Sequence, residues 1–574
     1  MKRVVAIEDI LLQVRKPGRY VGNEWNAVKK DFDAQEVTFA LCFPDLYEIG
    51  MSNMGLRILY GLLNEEPGIA CERAFLPDVD MQGLLKEKKL PLFSLESKIP
   101  LSEFDFLGFC LNYELAYTNV LAVLDLAGIP LLSKDRSLAF PLVIAGGPCV
   151  TNPEPLADFI DIFFIGEAEE ALLEIVEIYK SQIANHKSQI TKEDILKKIA
   201  AVRGVYIPSF YDVDYDEEGA VKKFLPLYPG VPQRITKRIV EDLNNAYYPQ
   251  KWLVPYIQIV HDRAAIELMR GCPHHCSFCQ ARVVYQKLRI RSPEKIIEIT
   301  ENILRSSGYE EISFLSLSTS EYPFLRQVLD GLRERMQEQA VAISLPSLRP
   351  KSYLGNVTEY LSRVRKTTLT FAPEAGSERM RQAINKNFDI EEFYAAIRAA
   401  YKAGWQSIKL YFMLGLPDET YDDLDALIAL ARQVSFLRKE YTPYLGQVHA
   451  SISFFVPKPH TAFERVAMDS LDVLREKRNY LRKKAQCLPK AVRLDFHALE
   501  TSLLEAVVSR GNRRLGKVLL KAYQDGCMLD GWTEHFKFNT WRKAFEECQR
   551  PMESYCQALS EDTVLPWQHI VLTA

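Results

Sequence analysis

Between residues 264 and 458 the chain alternates between two kinds of segment. Six runs are apolar or β-rich: "AAIELMRG" (264–271), "ISFLSLS" (312–318), "AISLPSL" (342–348), "TLTFAPE" (368–374), "SIKLYFMLG" (407–415) and "ASISFFVPK" (450–458). Stretches of helical character lie between them. One is "SPEKIIEITENILRSS", with Ser292 placed to cap it and Pro293 at its first position. Six strands joined through helices imply a parallel array with right-handed crossovers. Ligands of such an array sit at the carboxyl ends of the strands. The residues that follow each run are therefore the candidates for chemistry.

The first run leads into "GCPHHCSFCQ" (271–280), which places Cys272, Cys276 and Cys279 in a C-x3-C-x2-C pattern. Zinc sites usually draw four ligands from two separated pairs. Here the next cysteine is Cys487, and His274 and His275 lie between the thiols rather than beyond them. Three thiolates suit a cubane [4Fe–4S] cluster, holding three irons and leaving the fourth open. A zinc knuckle or three incidental thiols are the alternatives. The chain has eleven cysteines, an odd number and scattered. That reads as a reducing compartment, so a cytoplasmic protein is expected. No apolar run approaches the ~20 residues of a membrane span. Glu8 and Asp9 interrupt the apolar start, which argues against a signal peptide.

The spacing of the three cysteines, with Phe278 before the last, resembles the radical SAM superfamily. The resemblance implies a six-stranded partial (βα)6 barrel over 258–480. It implies that the open iron binds the amino and carboxylate groups of S-adenosylmethionine. One electron then cleaves the sulfonium and releases a 5′-deoxyadenosyl radical. An electron donor such as flavodoxin or ferredoxin is implied as a partner. Further strand ends fit a bound nucleotide. "FAPEAGSERM" puts Glu374 at the end of the fourth run, with Gly376 and Ser377 after it. A carboxylate can accept from two ribose hydroxyls, and glycine allows close backbone approach. This segment resembles the ribose-contacting part of the branch that contains the methylthiotransferases. A helix cap or a loop residue is the alternative for Glu374. Ser318, Thr319 and Ser320 of "SLSTSEY" are expected near the methionyl amine. Backbone near Gly415 in "MLGLPDET" is expected to face adenine, unless this is an ordinary strand-to-helix turn. His460 in "VPKPHT" either faces the site or is solvated.

Residues 1–200 read as a second α/β unit. Strands are expected at "VTFALCFPD" (37–45), "FLGFCLNYE" (106–114), at the start of "LVIAGGPCVTNPEPLAD" (142–158) and of "IDIFFIGEAEEALLEIVEIY" (160–179), with a helix at "NMGLRILYGLLN" (53–64). This alternation argues a doubly wound, Rossmann-like sheet. It resembles the cobalamin-binding domain that precedes many radical SAM barrels. The resemblance marks Asp45, Tyr47, Gly50, Gly146 and Gly147 as a cobalamin or substrate pocket. In "DLYEIG" Tyr47 stands where the cobalt-ligating histidine of D-x-H-x-x-G would be, and a phenol is a poor metal ligand. A domain that keeps the fold without the cofactor is the alternative.

Residues 201–257 are expected to be a linker with a β-hairpin around "DEEG". Residues 481–574 are expected to form a mainly helical C-terminal domain. The net charge is −4, yet "LREKRNYLRKKAQCLPKAVR" (474–493) and "SRGNRRLGKVLLKAYQDG" (509–526) are basic. Arg510, Arg513, Arg514, Lys517 and Lys521 could track a phosphate backbone, or form the solvated face of surface helices. The whole chain resembles a bacterial family of radical SAM proteins with this N-terminal domain. Its branch, which contains RNA methylthiotransferases, makes RNA the favoured substrate, with methyl or sulfur transfer as the reaction. A metabolite or protein substrate is the alternative, and so is a cluster-binding module without turnover.

Overall fold

A computed structural model of the chain describes residues 4–185, 190–338, 340–345 and 369–572. The chain divides into two compact units. The first comprises residues 1–262, 507–555 and 560–574; the second comprises residues 263–506 and 556–559.

The first unit is built on a sheet of β1 (Val37–Phe43), β2 (Ile69–Phe75), β3 (Phe106–Cys110), β4 (Leu142–Gly146), β5 (Ile162–Phe164) and β6 (Val205–Tyr206), in the order β2-β1-β3-β4-β5-β6. The first five are parallel and β6 is antiparallel. Helices α1 (Met54–Glu65), α2 (Val79–Lys88), α3 (Tyr117–Leu126) and α4 (Glu169–Asn185) lie between these strands in the chain. All seven residues of β1 and all seven of β2 are buried, as a sheet covered on both faces requires. The chain steps outward from β1 to β2 and returns on the other side of β1 as β3. That reversal is the switch point where doubly wound sheets bind ligands. A hairpin follows, β7 (Tyr211–Tyr215) against β8 (Val221–Pro226).

The second unit holds two parallel sheets among the described residues. One contains β9 (Ala264–Glu267), β10 (Glu311–Leu315) and β11 (Ala342–Ser344). The other contains β12 (Leu369–Glu374), β13 (Ser407–Leu414), β14 (Gln447–Phe454) and β15 (Val492–Phe496). The first six are the expected runs in the expected order. The end of the third run, residues 346–348, lies outside the described residues. Helices α5 (Pro293–Ser307), α6 (Leu325–Glu338), α7 (Glu378–Ala383), α8 (Ile390–Lys402), α9 (Tyr421–Leu437) and α10 (Leu471–Ala485) lie between them in the chain. Ser292 caps α5 as read, its Oγ accepting from Lys295 N at 3.3 Å. The buried residues Ile296, Ile299, Ile303 and Leu304 recur at helical spacing and fix which face of α5 turns inward. The seventh parallel strand, β15, was not expected; it extends the sheet beyond β14.

Beyond β15 come α11 (Leu499–Ser509), α12 (Leu515–Gln524) and α13 (Phe538–Glu547). The helical character is as expected, but a separate C-terminal domain is not what forms. From residue 507 the chain joins the first unit, apart from residues 556–559. Helix α12 packs on α3, and α13 packs on α12. Asn152 Nδ2 donates to the carbonyls of Ser509 and Gly511, both at 2.9 Å. None of the helices among the described residues is long and apolar enough to cross a membrane.

Candidate active site

The cysteine loop leaves the carboxyl end of β9 and is tied to the segments that follow two other strands. Ser277 N donates to Ile384 O at 2.9 Å, and Asn385 Nδ2 donates to His275 O at 2.8 Å. Both partners lie just past α7, the helix that follows β12. On another side, His274 Nε2 lies 3.0 Å from Glu321 Oε1, in the turn after β10. Phe278 is anchored below, against a core of Ala375, Met380, Ile384, Met413, Leu416 and Phe455. The aromatic before the last cysteine thus fastens the loop to the unit.

All three cysteines are half-buried and free of disulfides. The Cys279 thiol caps the short helix Gln280–Val284, accepting from Arg282 N at 3.4 Å. Burial pushes this thiol above its ordinary pKa; the Arg282 amide works against that, and Cys276 and Cys272 add to it. Among the described residues no three Cys, His, Asp or Glu side chains converge as one metal ion requires. A cubane does not ask for that, because each of its thiolates binds a different iron.

Glu374 ends β12 with a left-handed backbone, φ +64°, immediately after a bulge between Phe371 and Glu374. Positive φ on a residue other than glycine is costly, and bulges re-aim side chains near active sites. Its carboxylate receives Lys386 Nζ at 2.8 Å, with both side chains largely buried. Lys386 is a residue that the sequence reading missed. Its Nζ lies 5.8 Å from the centre of the Phe278 ring and draws the Cys279 thiol pKa down. It joins the cysteine loop to Glu374 in one electrostatic neighbourhood. Ser318 is 3% exposed, and its hydroxyl has no hydrogen-bond partner among the described residues. A buried hydroxyl just past a strand has the chemistry to meet a polar ligand. These features fit the cluster and S-adenosylmethionine.

Three other expected residues are engaged within the fold. Thr319 is fully buried, with its hydroxyl 3.1 Å from Ser316 Oγ. Ser377 is the N-cap of α7: its Oγ accepts from Met380 N and donates to Asp423 Oδ1 at 2.5 Å. The cap foreseen as an alternative for Glu374 is therefore supplied by Ser377. The neighbouring Gly376 is fixed by packing, because a Cβ there would lie 2.1 Å from Leu427 N of α9. Gly415 N donates to Glu419 Oε2 at 2.9 Å. That carboxylate also receives Lys477 Nζ at 3.0 Å, and Lys477 reaches Asp469 Oδ2 at 2.8 Å. Nothing in the local residue pattern marks this network. His460 N donates to Glu464 Oε2 at 2.8 Å.

In the first unit, the positions matched to a corrin site serve packing. Tyr47 is 1% exposed, and its hydroxyl donates to Glu24 Oε1 at 2.8 Å. Burial, then the Glu24 charge, push the phenol well above its ordinary pKa, so it offers no lower ligand. Gly50 backs onto the Phe75 ring. Gly147 has φ +118°, and a Cβ there would lie 2.4 Å from Leu111 O. Gly146 has no such close neighbour. Asp45 Oδ1 accepts from Trp532 Nε1 at 2.8 Å. These residues do not fit a corrin ligated from below.

The expected basic face is largely turned inward or paired. Arg510 is 4% exposed. Arg513 Nε lies 3.0 Å from Glu154 Oε2, and its Nη2 donates to Tyr206 OH at 2.8 Å. These two are corrected from surface contacts to interior ones. Lys521 pairs with Asp525 and Glu547, both at 2.9 Å. The Arg514 guanidinium sits 4.0 Å from the centre of the Tyr215 ring. Lys517 is exposed.

Comparison with known proteins adds identity to this geometry. Residues 55–208 match the family described as radical SAM proteins, N-terminal. Residues 266–431 match the radical SAM superfamily. An uncharacterized protein of Methanocaldococcus jannaschii is 26% identical over 492 residues, 84% of this chain and 90% of that one. A tRNA-2-methylthio-N(6)-dimethylallyladenosine synthase of Clostridium novyi is 24% identical over 225 residues, 36% of this chain and 48% of the synthase. This chain therefore spans about half of that relative. Among solved structures, the cobalamin-dependent S-adenosylmethionine radical enzyme OxsB, with aqua-cobalamin and S-adenosylmethionine bound, aligns with a TM-score of 0.46 at 13% identity, covering 93% of this chain and 82% of that one. The chain carries both the N-terminal and the core domain of radical SAM proteins and is an enzyme of that superfamily.

Proposed function

We propose that Cys272, Cys276 and Cys279 hold a [4Fe–4S] cluster with which the enzyme cleaves S-adenosylmethionine, and that its substrate is RNA. The observation that carries the first part is the convergence on the cysteine loop of the segments that follow β10 and β12, through Glu321, Ile384 and Asn385. When bound, the cluster supplies one electron to the sulfonium, drawn from a donor such as flavodoxin or ferredoxin. The chain's own residues position the cofactor. Glu374 offers its carboxylate to the ribose hydroxyls, held in aim by Lys386 and by its strained backbone. Ser318 offers its unmet hydroxyl to the methionyl end. Phe278 keeps the loop seated on the core.

The RNA part is supported by the likeness to the tRNA-modifying synthase. The transfer of a methyl or sulfur-containing group is the matching reaction. One observation favours a second reading, a metabolite or protein substrate. Arg510, Arg513 and Lys521 are buried or ion-paired, which leaves Arg514 and Lys517 to meet phosphates. Mass profiling of nucleosides from cells with and without the protein separates the two. The RNA reading predicts the loss of one modified nucleoside and the gain of its precursor. Identical profiles would move the substrate to proteins or metabolites.

A further inference from the structure

A doubly wound sheet leaves a crevice outside the carboxyl ends of the two strands that flank its switch point. In the first unit those strands are β1 and β3. We infer that the chain's own C-terminal segment, residues 527–532, is the resident occupant of this crevice, so that this segment and a corrin or other flat ligand there exclude one another.

The segment meets the loops after both strands. Trp532 Nε1 donates to Asp45 Oδ1, two residues beyond β1. Leu529 N donates to Asn119 Oδ1 at 2.6 Å, and Asn119 Nδ2 donates in turn to Pro44 O at 2.9 Å, directly after β1. Asn119 lies on α3, which follows β3. One residue earlier on that helix, Thr118 Oγ1 donates to Asp530 Oδ2 at 2.7 Å. The other Asp530 oxygen accepts from Trp541 Nε1 at 2.9 Å. Gly531 faces Tyr113, three residues beyond β3. Cys527, Leu529 and Asp530 are all at most 1% exposed, which places them inside the unit rather than on it. A carboxylate so buried, with both oxygens met by side chains from two elements, is a designed contact. The positions that a corrin would use are thus engaged: Asp45 by Trp532, and Tyr47 by Glu24. The inference rests on the first unit alone and stands whatever substrate the second unit serves.

Hydrogen exchange of the full-length, cluster-reconstituted protein tests this, with and without hydroxocobalamin, followed by gel filtration to measure retained corrin. In the protein alone the amides of Leu529 and Trp532, which donate to Asn119 Oδ1 and to Leu529 O, should exchange as slowly as those of β1 and β3. With hydroxocobalamin, either no corrin is retained and the segment stays slow, or corrin is retained and the segment becomes fast. Both results support mutual exclusion. Stoichiometric corrin with the segment still slow would overturn it, as would a fast segment in the protein alone.

Discussion

Replacing Cys272, Cys276 and Cys279 together with alanine should abolish iron binding at the loop and all reductive cleavage of S-adenosylmethionine. Of the eight cysteines outside the loop, Cys487 is exposed and Cys110 and Cys548 are half-buried. Cys42, Cys71, Cys149, Cys527 and Cys556 are buried, and burial holds the Cys42 and Cys71 thiols well above their ordinary pKa. The loop itself should survive the change. Its ties run through Ser277, His275, His274 and Phe278, none of which is altered. Anaerobic reconstitution should therefore give about four irons per chain in the wild type, the content of a cubane, and essentially none in the triple variant. Equal iron in both would place the cluster elsewhere, and zinc in place of iron would remove it.

The second large effect concerns folding of the first unit. Arg73 lies in the middle of β2 and is fully buried. Its Nη2 reaches Glu24 Oε2 and its Nε reaches Glu96 Oε1, both at 2.6 Å. Arg73→Met removes the cation and leaves two carboxylates in the interior. Breaking a buried pair in this way costs about 3–5 kcal/mol, because the stranded charge has no compensation. The pH dependence identifies the cause. Burial would raise the Glu24 pKa, but the Arg73 charge outweighs it and holds the carboxyl below its ordinary value. In the wild type that stability is present above the ordinary carboxylate range and is lost as the pH falls through it. In the variant the Tyr47 hydroxyl still donates to Glu24 and the residue-73 amide to Glu96, but the cation is gone, so burial, which already raises the Glu96 pKa in the wild type, makes both carboxyls take up protons more readily. The deficit should be largest at neutral pH and shrink toward about pH 4. Denaturant unfolding, read through the exchange of β1 and β2 amides, measures it. A loss below about 1 kcal/mol at neutral pH would be that of a surface pair and would contradict this reading of Arg73.

What the sequence reveals depends on whether a segment's partners are near in the chain. The strand runs of the second unit are apolar, and the cysteine spacing needs no partner to be recognised. Strand β2, "IACERAF", carries Glu72 and Arg73 side by side at its centre. Polarity argues against a buried strand until Glu24 and Glu96 are in view. Strand β15, "VRLDF", escapes for the same reason, with its charges alternating along a sheet edge. The basic run at 509–526 reads as a surface because Glu154 lies 359 residues before Arg513. Lys386 sits in "AINKNF", which reads as an ordinary helix end. Its one local signal is Asn385, whose left-handed backbone, φ +52°, turns the chain back toward the cysteine loop. Ser318 was legible as a polar residue after a strand. That it is buried without a partner among the described residues, while Thr319 beside it is satisfied, is tertiary information.

The most direct measurement is of products. Anaerobically reconstituted protein, given a strong one-electron reductant and S-adenosylmethionine, should release 5′-deoxyadenosine and methionine in equal amounts, slowly even without substrate. The triple cysteine variant should release neither. Intact S-adenosylmethionine after incubation with protein that holds its full complement of iron and is reduced would contradict the assignment of radical chemistry to this loop.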